Sequence, residues 1–238
     1  MDKYYGILIN GMERGITVRR IVHGLAWTGA ELTNGSFGIA MHTEGESVER
    51  LLPRLEGMDA VDAAKAVMSW NFEEASEAMA VINAYYNSPA RLDSLGCRDS
   101  LKSSITAGMQ VEGKKIALIG HLKLHKDALE GAEKVYIIER NPRPGDYPDS
   151  ACEYILPECD IVIITGSAAV NKTMPRLIEL SASAQTIVVG PTVPLCPELK
   201  DCGINRLSGM VVTDTAGLIS YITEVKGSPY PYGDTFII

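Results

Sequence analysis

The chain has 238 residues, of which 46% are hydrophobic and 22% charged, and carries a formal net charge of −8. This length buries a core without disulfides or a structural metal, and the composition excludes an intrinsically disordered chain. The acid excess, spread over both halves with no basic stretch, argues against nucleic acid as a partner, and no apolar run reaches the roughly 18 residues of a membrane-spanning helix.

The opening Met1-Asp2-Lys3-Tyr4-Tyr5 lacks the basic and apolar regions of a secretory signal. Ile16–Thr28 is rich in β-branched and aromatic residues. Ser36–His42 alternates Phe37, Ile39 and Met41 with Gly38, Ala40 and His42, the period of a half-buried strand. The small residues on one side of that strand allow a neighbour to lie close. Asn34-Gly35 between the two runs predicts a hairpin turn. Asp59 caps a helix carrying Ala60, Ala63, Ala64, Val67 and Met68. Asn71, followed three positions later by Glu74, opens a second one as in a capping box. That helix presents Phe72, Ala75, Met79, Ile82 and Tyr86 on one face and ends before Ser88-Pro89. Its polar and aromatic ends, Trp70-Asn71 and Asn83 to Asn87, read as core aromatics and caps unless the helix faces a second domain.

The character changes near residues 108–113, which marks a boundary between a small α+β domain (1–108) and a second domain (113–238). Thereafter apolar runs alternate with helical patterns in βαβ rhythm. Strands are expected at Lys115–Gly120, Val135–Glu139, Ile161–Thr165, Thr186–Gly190 and Gly209–Thr213. Helices are expected after the first strand, over Lys172–Ser181, near Glu198–Asp201 and over Thr215–Glu224, with a Pro-rich loop after the second strand. Continuous apolar strands predict a parallel sheet covered on both faces, so the fold class is α/β with a doubly wound sheet. The apolar tail Tyr230–Ile238 is expected to dock on its own domain, with a second copy of the chain as the alternative and hence a homo-oligomer.

In an open parallel sheet, ligands bind beyond the C-terminal strand ends where the strand order reverses. With the order 3-2-1-4-5, the flanking loops are Gly120-His121 and Gly190-Pro191-Thr192. The loop Thr165-Gly166-Ser167 offers hydroxyls and backbone N–H groups to an anion. A dinucleotide fingerprint is incomplete, because one glycine, Gly120, stands where three are needed, although Glu139 lies 19 residues on, where an acid grips ribose hydroxyls. NAD-dependent chemistry is therefore disfavoured. His121 and His125, spaced by one helical turn, are a candidate pair for a divalent transition metal such as Zn, Ni or Cu. Cys97, Cys152, Cys159, Cys196 and Cys202 are odd in number, scattered and without C-x-x-C spacing, which points to buried thiols in a reducing cytoplasm. No Ser/His/Asp motif or Walker loop is present, and no catalytic residue is assigned.

Several segments together carry a family resemblance: Ser69-Trp70-Asn71-Phe72-Glu73-Glu74, Ile82-Asn83-Ala84-Tyr85-Tyr86-Asn87, Gly113-Lys114-Lys115 leading to Gly120-His121, and Gly145-Asp146-Tyr147-Pro148. Ile155-Leu156-Pro157-Glu158-Cys159-Asp160, Lys172-Thr173-Met174-Pro175-Arg176-Leu177 and Gly190-Pro191-Thr192-Val193-Pro194-Leu195 complete the set, in order along nearly the whole chain. The chain resembles a prokaryotic family of uncharacterised proteins known as the putative heavy-metal chelation family. The resemblance implies a domain like the N-terminal domain of enolase, without the enolase barrel, followed by a Rossmann-like domain, with a cleft between them. It implies metal chelation or a pterin-like or nucleotide-like ligand, with Asn83, His121, Glu139, Thr165, Gly190 and Pro191 near the cleft. Taken together, the expected ligand residues are Asn83, Gly120, His121, Glu139, Thr165, Gly166, Ser167, Gly190, Pro191 and Thr192. The partner is a small anionic or heterocyclic molecule or a metal ion, with no nucleic acid and no membrane.

Overall fold

The structure, a computed structural model, describes residues 2–43, 48–97, 104–224 and 228–238. The chain opens with helix α1 (Lys3–Asn10), capped by the Asp2 carboxylate, which accepts from the Tyr4 N–H at 2.9 Å. Strands β1 (Val18–His23), β2 (Trp27–Leu32) and β3 (Phe37–Met41) then form an antiparallel meander. β2 and β3 pair from Trp27–Met41 to Glu31–Phe37 around the expected Asn34-Gly35 turn. The β-branched and aromatic run from Ile16 to Thr28 spans β1 and the start of β2, because a turn at Gly24 to Ala26 folds β2 back on β1.

Helices α2 (Ala60–Ala64), α3 (Phe72–Tyr86) and α4 (Pro89–Ser94) follow. Asp59 and Asn71 cap α2 and α3 as expected, accepting from the Val61 and Glu74 N–H groups. Glu74 departs from the capping-box pattern. Its carboxylate is buried and accepts from the N–H groups of Leu51 and Leu52 at 2.8 and 2.7 Å. α3 is also buried from Glu74 to Tyr86, more than the single apolar face expected. One side lies on β2 and β3, where Gly38 meets the backbone of Ala80 and Ala84, and the other joins the core shared with the rest of the chain. The small residues of β3 thus admit a helix at backbone contact.

The second sheet contains β4 (Lys115–Ile119), β5 (Lys134–Glu139), β6 (Tyr147–Pro148), β7 (Ile161–Thr165), β8 (Gln185–Val189), β9 (Ile204–Val212) and β10 (Gly233–Ile237). Its order is β10-β9-β8-β7-β4-β5-β6, parallel except for β10. The fold is α/β, with a small antiparallel sheet and a larger Rossmann-like one. The five strands expected from the sequence therefore run 2-1-3-4-5 rather than 3-2-1-4-5. The order reverses between β4 and β7, so the loops at Gly120 and Thr165 flank the switch point and the Gly190 loop lies one strand further out. The Pro-rich loop contributes the two-residue edge strand β6, and the apolar tail becomes β10, docked antiparallel on β9 of its own sheet.

Alternation along the strands explains their continuous apolar character. Ile116, Leu118, Ile161, Ile163, Ile187 and Val189 face one side, while Ala117, Val162, Ile164 and Val188 face the other. The second side packs on the main core, near α5 (Cys152–Ile155) and α6 (Met174–Leu180). The first side is covered by irregular chain carrying Ile105, Met109, Val111, Leu122, Leu124 and Leu129. The helix expected after β4 is reduced to a short 3-10 turn at Lys126–Leu129. Leu122 and Leu124 alternate, so both reach the sheet only from extended backbone.

The two sheets share one core, and α7 (Thr215–Glu224) packs Leu218, Tyr221 and Ile222 against Phe37 and Ile39 of the first sheet. The Tyr5 hydroxyl donates to the Ala169 carbonyl at 2.7 Å, and the Lys172 ammonium donates to the carbonyls of Val67 and Val170 at 2.6 and 3.1 Å. Lys172 adopts φ +69° and sits near the rings of Tyr5 and Phe72. Burial lowers its ammonium from 10.5 to about 8, against a smaller opposing pull from Glu74. Across that window the unfolded chain holds a proton that the folded chain has released, so stability rises with pH from about 8 to 10.5. The gain is at most roughly 3 kcal/mol, reduced by solvent screening of the partly exposed stem. Urea unfolding of wild type and Lys172→Met in parallel checks this. Wild type is expected to gain on the variant as pH rises, and a constant gap would exclude the linkage.

Candidate functional site

A cavity of about 740 Å³ opens between the two sheets at the C-terminal ends of β4, β7 and β8. From the large sheet it is lined by His121 to His125, Thr165, Gly166, Val189 to Thr192 and Ser208. Ala26, Trp27 and Met41 of the first sheet, Tyr221 of α7, and Ser228 to Tyr230 with Thr235 of the tail close the other sides. Side-chain hydrogen bonds hold the Gly190 loop. Thr192 Oγ1 accepts the Met41 N–H at 2.9 Å, and Asn87, which ends α3, binds Val193 and Leu195. The turn at Gly120, whose N–H donates to the Ile138 carbonyl at 3.0 Å, carries His121 onto the cavity wall.

Of the residues expected at a ligand site, His121, Thr165, Gly166, Gly190, Pro191 and Thr192 line this cavity, as does His125. Ser167 lies just behind the wall, its hydroxyl 3.0 Å from that of Thr165. Gly120 and Glu139 stand outside it, and Glu139 accepts from the Asn141 N–H at 3.5 Å. Asn83 requires a correction. Its helix does not close the cleft, because β3 lies between them, and its amide donates to the Ile39 carbonyl at 2.8 Å in the core. Trp27, Met41, Tyr221 and Tyr230 were not anticipated, since tertiary packing alone brings them to the strand ends.

The two histidines turn to different carboxylates. His121 Nε2 lies 2.7 Å from Asp146 Oδ2, and His125 Nδ1 lies 3.3 Å from Asp127 Oδ2. The Arg143 N–H, which also bonds Asp146 at 2.7 Å, and then His121 hold the Asp146 carboxyl below its usual range. Elsewhere, His23 at the end of β1 approaches Glu73 and Glu77 of α3, with ligand atoms all within 4.8 Å of one another. Glu77 already accepts two hydrogen bonds from the Arg50 guanidinium, at 2.7 and 2.5 Å.

Comparison with known proteins places this geometry in a family. The DUF364 family, described as "Putative heavy-metal chelation", matches residues 105–232, and DUF4213, with the same description, matches residues 5–86. The chain belongs to the DUF364 family. A DUF364 protein of unknown function from Desulfitobacterium hafniense has a crystal structure similar to this one, with TM-score 0.86, 36% identity and coverage of 98% and 96% of the two chains. A second DUF364 crystal structure, from Pyrococcus horikoshii, shares the fold at TM-score 0.80 and 23% identity, covering 100% and 98%. An uncharacterized protein of Methanocaldococcus jannaschii is 32% identical over 122 residues, 48% of this chain and 47% of its own length. This chain therefore spans about half the length of that curated relative.

The donor set of this DUF364 cleft is a poor match to heavy-metal capture. Its described lining contains two histidines but neither carboxylate nor cysteine. The five thiols are unpaired, and burial pushes Cys152 and Cys159 up to about 11 and Cys196 up to about 12. Cys152, Cys159 and Cys196 are therefore neutral thiols at pH 7, whereas the thiolate is the metal ligand. None of the described helices is long and apolar enough to cross a membrane.

Proposed function

We propose that the cleft binds a small anionic or heterocyclic molecule, nucleotide-like or pterin-like, between a small N-terminal domain and the Rossmann-like domain. The observation that carries this reading is the chemistry of the wall. Aromatic and apolar surface from Trp27, Met41, Tyr221 and Tyr230 faces hydroxyls of Thr165, Thr192 and Ser208, and the ionisable side chains other than tyrosine are His121, Lys123 and His125. A planar ring finds apolar cover there, an anion finds donors, and a bare cation finds few ligands. A thermal-shift screen with nucleotides, pterins and S-adenosylmethionine tests it. A ligand present at 100 times its Kd stabilises the native state by about 2.7 kcal/mol and raises the midpoint. No shift with any of them would discard these classes.

A second reading, handling of a transition metal without catalysis, draws on the family description and on His23, Glu73 and Glu77. The Arg50 guanidinium on Glu77 opposes it, since a cation there displaces a charge-assisted pair. Metal analysis of untagged protein separates the two. Stoichiometric metal that disappears in Glu73→Gln supports the second reading, and substoichiometric metal leaves the first.

A further inference from the structure

We propose that His121 is the proton acceptor of the cleft, held in one tautomer by Asp146, and that the occupant is a planar weak acid that presents an N–H or O–H to it. This rests on the cleft reading above and adds the chemistry of its ligand. An ionised carboxylate only accepts hydrogen bonds, and Asp146, its side chain 8% exposed, accepts from both the Arg143 N–H and His121. The ring therefore donates through Nε2, and in its neutral form Nδ1 carries a lone pair and no proton. Among the described residues no protein donor reaches Nδ1. Asp146 does not line the cavity, whereas His121 does, so the carboxylate acts from behind the ring.

This arrangement does what a carboxylate–imidazole pair does elsewhere, fixing the tautomer and stabilising the cation formed when the other ring nitrogen takes a proton. The balance is simple. A ligand N–H or O–H bond breaks and its proton moves to Nδ1. The ligand is left as an anion beside an imidazolium whose charge Asp146 offsets. The other charged groups near the site are Lys123 and His125 on the His121 loop, Asp127 beside His125, Arg143 beside Asp146 and Glu139 beside Gly120, with the titratable Tyr221 and Tyr230 across the cavity. The aromatic wall covers the planar body, and Lys123 favours the anion. Asp146 is a positioning residue here, acting through His121.

The experiment has two arms. The chain has 4 histidines, so ¹⁵N-edited NMR of the ligand-free protein resolves them, with His121→Gln giving the assignment. In its neutral form, His121 is expected as the Nε2–H tautomer, and Asp146→Asn is expected to mix the tautomers. A wild-type Nδ1–H tautomer would overturn the proposal while leaving the cleft reading intact, and needs no variant that might misfold. The second arm compares xanthine, which carries acidic N–H groups, with caffeine, in which they are methylated. Xanthine is expected to raise the melting midpoint and caffeine is not, with binding weakened about tenfold to a hundredfold in Asp146→Asn. Equal binding of both would retain the cleft and overturn the proton transfer, and binding of neither would overturn the ligand class.

Discussion

Replacing Asn87 with alanine is expected to destabilise the protein by about 3–5 kcal/mol, because three buried backbone groups lose one shared partner. The Asn87 amide donates to the carbonyls of Val193 and Met210 at 2.8 and 3.1 Å, and its Oδ1 accepts the Leu195 N–H at 2.7 Å. The side chain is 2% exposed, so no water replaces those bonds without opening the core. It joins the end of α3 to the loop after β8 and to β9, and thereby ties the first sheet's helix to the cavity wall. Urea unfolding supplies the measurement. Asn87→Asp gives a second check with a defined sign. Its carboxylate would face two carbonyl oxygens, so its folded pKa rises above the unfolded value and the deficit relative to wild type shrinks as pH falls. A deficit that grows on acidification, or an alanine variant as stable as wild type, would refute this account of the joint.

Gly38→Val is the second large effect. A Cβ at Gly38 would overlap the Ala84 backbone nitrogen and lie 2.5 Å from the Ala80 carbonyl oxygen. These are helix backbone atoms, which do not rotate away as a side chain does. α3 cannot retreat, since it is buried along nearly its whole length. Overpacking of this kind is expected to cost about 3 kcal/mol or more and to lower the melting midpoint by roughly 6–12 °C, with Gly38→Ala changing in the same direction by less. Melting of the valine variant at the wild-type midpoint would mean that strand and helix are not in backbone contact.

The elements most legible in the sequence were those whose signal is local. Asp59 and Asn71 announce their helices by capping, Asn34-Gly35 announces a turn, and the apolar strands of the large sheet announce burial on both faces. α1 was missed because Tyr4, Tyr5, Leu8 and Ile9 bury it through contacts with distant chain. The strand order was missed for a related reason, since nothing local states on which side of β4 a returning strand will lie. For the cavity, position at a C-terminal strand end found His121, Thr165 and Gly190. Trp27, Met41, Tyr221 and Tyr230 come from a different sheet, a helix and the tail, and no spacing connects them. Asn83 misled because a polar residue on a helix suits a core carbonyl as well as a ligand, and here Ile39 supplies the carbonyl.

The irregular cover over the β4 face has a kinetic consequence. Between Gly120 and Glu133 the backbone lacks a helical ladder, and its few internal bonds include those closing the turn at Lys126–Leu129. Its amides can therefore open without unfolding the sheet beneath, and they are expected to exchange with solvent deuterium far sooner than those of β4, β7 and β8. His121 to His125 belong to this stretch and to the cavity wall. Occupation of the cleft would then register first as slowed exchange across this segment, ahead of any change in the strands. Mass-spectrometric deuterium uptake could thus follow cleft occupation without a substrate turnover assay.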